Sequence, residues 1–308
     1  MRPFDILVAG EINPDLILSG AVEPAFGQVE KLVDSAVLAI GSSSAIFACG
    51  AARLGLKVAF IGVCGEDVWG RFMLEALAER QVDTSHVIVA PGQQTGLSVI
   101  LARQSDRAIL THAGATSALQ ASQVSNDLLR QARHLHVGSY FLQTGLQPGL
   151  ADLFRCAHAA GLTTSLDTNW DPAGEWKGVS DLLQQTDVFL PNENELLAIT
   201  GAAELDAAVR LAGQRAGTIA VKRGAQDALA FRGEVTMTLP ALPVEPVDTV
   251  GAGDTFDAGF LYGFLNGWEL EDSLRLAIAC GSLSTRAAGG TAAQPTLAEA
   301  RQYAGNST

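Results

Sequence analysis

Val247-Asp248-Thr249-Val250-Gly251-Ala252-Gly253-Asp254-Thr255-Phe256 joins a glycine-rich turn to an apolar, helix-like run, with an aspartate at the junction. A Gly-Ala-Gly turn carries little side-chain bulk, so its N–H groups can approach a bound group closely. A helix that starts there adds unpaired donors and the positive end of its dipole. Such a turn suits a phosphate. Asp254 lies where those donors also reach, and a carboxylate there can take a proton from an attacking hydroxyl while the amides hold the oxygens of a phosphoryl group in transfer. The stretch thus predicts Asp254 as a base and Gly251, Ala252 and Gly253 as stabilisers of phosphoryl charge. A plain loop end, with Asp254 only a helix-start residue, is the competing reading of the four residues alone.

Outward from this turn the chain alternates short apolar runs with helix-like stretches. Residues 5–9, 57–63, 134–137, 163–167, 187–190 and 218–221 read as buried strands, and 44–54, 68–80, 121–133 and 150–160 as helices. This alternation predicts an α/β fold: a mainly parallel sheet covered by helices on both faces, with right-handed crossovers and ligands at the carboxyl ends of the strands. Residues 17–38 and 96–110 carry β-type runs without intervening helices and predict a small β flap at the ligand end.

At 308 residues, 48% hydrophobic and 17% charged, the chain can bury a large core, and no repeat or linker marks a second independent domain. A formal net charge of −13 argues against nucleic acid or an anionic membrane as partner, since both reward basic surface. A small metabolite fits better. No run of eighteen apolar residues is present, and Met1-Arg2-Pro3-Phe4-Asp5 leads straight into a strand-like segment, so the expectation is a cytoplasmic protein. Cys49, Cys64, Cys156 and Cys280 are far apart and read as ordinary buried thiols. His134 and His136 share one strand face without an evident third ligand and read as a structural pair.

The opening stretch, followed by Ala258-Gly259-Phe260, closely resembles the C-terminal signature of the ribokinase-like sugar kinases, the PfkB family. The resemblance implies an ATP-dependent kinase with a three-layer α/β/α ribokinase-like fold over 1–308. It also implies a β lid from about 11–40 and 93–112 that covers the sugar and serves as a homodimer contact. ATP and Mg²⁺ are the implied cofactors, with K⁺ in many relatives.

Further motifs carry the resemblance with uneven strength. In Gly10-Glu11-Ile12-Asn13-Pro14-Asp15, Asn13 and Asp15 emerge after the first strand and suit sugar hydroxyls, although Asn-Pro-Asp is also a good turn. The family holds its acceptor through an aspartate at this place. Gly41-Ser42-Ser43-Ser44-Ala45-Ile46 opens a helix where the family shows Gly-Gly. Gly41 and Ser42 are read as substrate-side residues, with a simple helix cap as the alternative. Relatives carry an asparagine at the place of Ile46. Leu166-Asp167-Thr168-Asn169-Trp170-Asp171 matches a family Asp-x-Asn-x-Arg pattern except that Asp171 replaces the arginine; Asn169 is carried over to the substrate, and Asp171 is expected to repel acidic acceptors.

In Pro191-Asn192-Glu193-Asn194-Glu195, Asn192 and Glu195 share one face of a first helical turn. They match the family's Asn-x-x-Glu, which holds water on magnesium, with Glu193 as a helper; dipole complementation alone is the other reading. Val221-Lys222-Arg223-Gly224-Ala225-Gln226-Asp227 resembles the nucleotide loop, so Lys222, Gly224 and Asp227 are expected at ATP. Asp248, with Gly289, is the expected monovalent-cation position. The acceptor is expected to be an uncharged sugar. A nucleoside kinase, with Ile46, Phe47 and Phe141 forming an apolar base pocket, is the nearest rival, and a non-catalytic sugar-binding regulator is the alternative from another class. A nicotinamide oxidoreductase is disfavoured, because Gly-x-Gly-x-x-Gly is absent after the first strand.

Overall fold

Strand Phe4–Ala9 lies deep in a nine-stranded sheet, and its side chains alternate between two separate cores. Ile6 and Val8 pack into one and Leu7 and Ala9 into the other, each fully buried. A strand apolar on both faces needs cover on both faces, and this forces the three layers. The computed structural model describes residues 2–103 and 106–305.

The sheet runs in the order Val235–Pro240, Asp227–Arg232, Thr218–Lys222, Val188–Phe189, Thr163–Leu166, Ala132–Val137, Phe4–Ala9, Val58–Ile61, Val82–Asp83. From Thr218–Lys222 to Val82–Asp83 every neighbouring pair is parallel; the other two strands extend the sheet as antiparallel hairpin neighbours. The chain leaves Phe4–Ala9 toward one edge and returns on its other side at Ala132–Val137. The winding therefore reverses between these two strands, which opens a crevice at their carboxyl ends.

A second sheet of four strands stands beside that crevice in the order Ser35–Ile40, Pro14–Ser19, Leu97–Arg103, Asp106–His112. It arises from the two stretches that lacked helical periodicity. Residues 104 and 105, within the expected 93–112 segment, lie outside the described residues. The connection between Pro14–Ser19 and Ser35–Ile40 exposes Phe26 at 97% and Leu32 at 83%, and strand Asp106–His112 exposes Leu110 at 63%.

The structure corrects the expected helix over 121–133. A 3₁₀ turn at Ala121–Gln123 and a short helix at Asn126–Leu129 precede strand Ala132–Val137. Ser125 caps the short helix, and Leu128, Leu129 and Ala132 go into the core, so the run buries its apolar residues without continuing as a helix. Cys156 is exposed, contrary to expectation, because it lies on the outer face of helix Gln147–Ala159; Cys49, Cys64 and Cys280 are buried. His134 and His136 have structural partners. His134 bonds Thr163 and Ser165 through its two ring nitrogens, and His136 bonds Ser165 and stacks on Phe47. Burial holds both imidazoles down to about 3, hence neutral.

Candidate active site

Gly251 takes a left-handed φ of 71° and caps helix Ala252–Leu265. A Cβ there would come within 2.8 Å of Gly290 Cα and Ile46 Cγ2, so the turn is closed from behind by the Gly289–Gly290 loop and by Ile46. Ile46 packs under the turn instead of facing an acceptor. The Gly253 and Asp254 N–H groups find no acceptor among the described residues, and no side chain caps this helix end. Open amides at the start of a fourteen-residue helix are ready for an anion.

Asp254 is buried at the junction of the crevice and the turn. Burial, reinforced by the charges of Asp167 and Glu11, pushes its carboxyl well above the usual range, against the pull of Lys222 and a hydrogen bond from Ser43. Ser43 in turn accepts from Asn169 Nδ2 at 2.9 Å. Asn169 thus holds the Ser43 hydroxyl that favours the ionised form of Asp254.

Sequence reasoning missed the organiser of the acceptor side. Glu11 is 2% exposed at the end of the first strand, and it accepts from Ser44 N, Ser44 Oγ and Ser42 Oγ, and from Ser139 Oγ at 2.8 Å. It ties both strands of the switch point to the helix start. An acid closing an apolar strand, in a chain with a serine-rich helix start, was the available signal. Ser42 is spent by this arrangement: it donates to Glu11 O and accepts from Ala45 N, so the expected sugar contact gives way to a helix cap.

Asn13 and Asp15 lie at the root of the four-stranded sheet, both nearly buried. A Cβ on Gly41 would meet Asp15 Oδ1 at 2.2 Å, so glycine lets this carboxyl reach the crevice. Burial raises Asp15 to about 6, offset by the Arg107 guanidinium and a hydrogen bond with Ser98. Arg107, also absent from the sequence reading, reaches back toward Asp248 at 3.8 Å. Asp248 itself accepts from Val250 N and from Gly289 N at 2.9 Å, which fastens the Gly289 loop to the anion turn.

Two expectations are corrected at the rim. Asp171 accepts from the amides of Ala173, Glu175 and Trp176, which hold it below the usual carboxylate range despite burial. Its charge organises a loop and is not presented to an acceptor. Phe47 is in the core against His136, so it contributes nothing to a base pocket, while Phe141 packs edge-on to Trp176.

On the other side of the turn lies a cleft of about 480 Å³. This falls within the roughly 300–1,000 Å³ usual for small-molecule sites. Lys222, Gly224, Asp227, Gly253, Leu242, Pro243, Val244, Ile278 and Thr285 contribute to its lining. Leu242, Pro243 and Val244 come from a proline-rich segment with no motif and Ile278 from helix Leu270–Ser284, which is why the sequence did not single them out. Asp227 is held by Arg223 at 2.7 and 2.8 Å on the cleft wall. Asn192 and Glu195 form a reciprocal capping box at the start of helix Glu193–Thr200. Burial and the charge of Asp167 raise Glu195 to about 7, with Lys222 opposing.

With this geometry in place, the comparisons with known proteins are specific. A pfkB family carbohydrate kinase pattern matches residues 5–297, and the chain belongs to that family. Ribokinase of Haemophilus influenzae is 28% identical over 307 residues, 97% of each chain. An uncharacterized sugar kinase of Archaeoglobus fulgidus is 30% identical over 233 residues, 74% of this chain and 90% of that protein. The structure of Arabidopsis thaliana ribokinase complexed with ribose and ATP shares the fold with a TM-score of 0.86 over 99% of both chains, at 24% identity. No helix among the described residues is long and apolar enough to cross a membrane.

Proposed function

We propose that this chain is an ATP-dependent kinase that phosphorylates a hydroxymethyl group of an uncharged sugar or sugar-like alcohol. The observation that carries the reading is the placement of Asp254 and the open Gly253 and Asp254 amides between a polar crevice and a cleft of nucleotide size. In this reading Asp254 takes the acceptor proton, and the Gly251-Ala252-Gly253 turn binds the phosphoryl oxygens. Asn13, Asp15, Gly41 and Asn169 orient the acceptor; Asn192, Lys222, Gly224 and Asp227 serve the nucleotide side.

Magnesium fits the donor set by its chemistry. Glu195 is a buried carboxyl whose two oxygens accept from Asn192, and among the described residues no cluster of three or more His, Cys, Asp or Glu forms a direct cage. Glu195, with Asn192, would hold the ion through water. When bound, magnesium neutralises phosphate charge and polarises the transferring group. A monovalent cation beside Asp248 belongs to the same proposal, read out by comparing turnover in potassium, sodium and cation-free buffer.

The reading treats 1–308 as one kinase domain, acting in the cytoplasm, whose four-stranded sheet is a lid that excludes water from the reaction. The exposed apolar residues of that lid are proposed to pack against a second copy. Phe26→Asp with Leu110→Asp is expected to convert a dimer to a monomer in sedimentation velocity; a wild type that sediments as a monomer sinks this part.

A panel of ribose, fructose and adenosine, assayed for ADP release with magnesium and potassium, tests the function. Turnover with a sugar is expected. Sugar binding without ADP release would instead support the non-catalytic regulator. One observation favours the nucleoside reading: Trp170, beside Asn169, is 58% exposed and edge-on to Trp176, an aromatic surface at the crevice rim. Preferential turnover of adenosine would establish it.

A further inference from the structure

Lys222 closes strand Thr218–Lys222, and its ammonium donates to Asp167 Oδ2 and Asp257 Oδ2, each at 2.9 Å. Both carboxyls are buried, Asp257 at 1% side-chain exposure. Two ammonium N–H groups are occupied in this way. The side chain also runs beside the anion turn: a Cβ on Gly253 would lie 3.7 Å from Nζ. Lys222 is part of the lining of the nucleotide cleft, so its third N–H is available where phosphates would arrive.

The two acids are not equivalent. Asp167 Oδ1 accepts from Asn169 N, whereas Asp257 Oδ1 is buried without a partner among the described residues. Two buried carboxylates around one cation, with a bare charged oxygen in the core, is a costly arrangement. A proton on Asp257 removes the like-charge repulsion and leaves its Oδ1 as a carbonyl oxygen, which is cheaper to bury.

The surroundings favour Asp257 as the protonated partner. Burial and the charge of Asp167 hold it well above the usual range against Lys222, while Lys222 and hydrogen bonds hold Asp167 below it despite burial. The other titratable groups that act on the cluster are Glu195, raised to about 7, Asp254, raised well above its usual range, and His136, neutral. None of them supplies a second cation.

We propose that Asp257 is a positioning residue that carries a proton, so that its cluster with Lys222 and Asp167 is neutral instead of negative where the nucleotide phosphates arrive, until that proton is lost as pH rises. The inference rests on the kinase reading for the identity of the ligand. Asp257→Asn reproduces the shape and neutrality of the protonated carboxyl, and Asp257→Leu removes its polarity. The measurement is magnesium–ATP affinity by calorimetry from neutral to alkaline pH, with kcat/KM for ATP in parallel.

Wild-type affinity should fall about tenfold per pH unit above the apparent pKa of the pair. The Asn variant should stay near wild-type affinity at neutral pH and lose the alkaline limb, and the Leu variant should bind weakly throughout. An Asn variant that keeps the alkaline limb, or that binds as weakly as the Leu variant at neutral pH, overturns the proposal. A wild type with flat affinity overturns it while leaving the kinase reading intact, and a wild type that binds no ATP overturns both.

Discussion

Asp254→Asn is expected to leave the fold and ATP affinity nearly intact while lowering turnover by about 10²–10⁴, the usual contribution of a general base. The amide keeps the shape of the side chain and its contact with Ser43, so what is lost is the capacity to accept a proton. Steady-state turnover of wild type and variant is the measurement, and near-wild-type turnover would remove Asp254 from the chemistry. The pH dependence has a definite sign. Because the carboxyl is held above its ordinary range, the wild-type rate should fall as pH drops through that raised value, and the acid limb should lie above the usual carboxylate region. The same shift opposes stability: a group raised on folding stabilises below its unfolded pKa, and that contribution is lost as pH rises through the folded value. At neutral and alkaline pH the Asn variant should therefore unfold at equal or higher urea concentration than wild type.

Lys222→Met should produce the largest loss of stability, about 3–5 kcal/mol, the usual cost of stranding a buried charge partner. The methionine fills similar volume but leaves buried Asp167 and Asp257 without their shared cation, near Glu195 and Asp254. Urea denaturation reads the effect, and it should shrink as pH falls, because the stranded carboxyls can then take up protons. A loss below about 1 kcal/mol at neutral pH would mean that the ammonium is dispensable to the folded state, as exposed pairs are. ATP affinity should fall in the same variant, since the cleft loses its cation beside Gly253.

Most of the fold was legible because its strands are short apolar runs buried on both faces, and burial on both faces imposes the same pattern wherever such a strand lies in the sheet. The expected helix over 121–133 failed for a related reason: Leu128, Leu129 and Ala132 satisfy a helical spacing, yet strand Ala132–Val137 claims the end of the run for the sheet. In the site, the open amides of the Gly251 turn follow from local grammar. Asp257 was invisible because its significance comes from Lys222, which lies 35 residues earlier in sequence. Asp171 misled because a residue type shows charge but not direction, and three backbone amides had already claimed the carboxylate.

The sequence by itself determined the layered α/β architecture, the glycine turn with Asp254 at its lip, and the kinase resemblance, since each rests on spacing within one short segment. Only the tertiary structure decided how charge is distributed around that turn. Glu11 gathers Ser42, Ser44 and Ser139, Lys222 joins Asp167 to Asp257, and Asp248 fastens the Gly289 loop. Each of these contacts joins groups far apart in the chain, and the energy of a buried charge depends on the neighbours that folding brings to it.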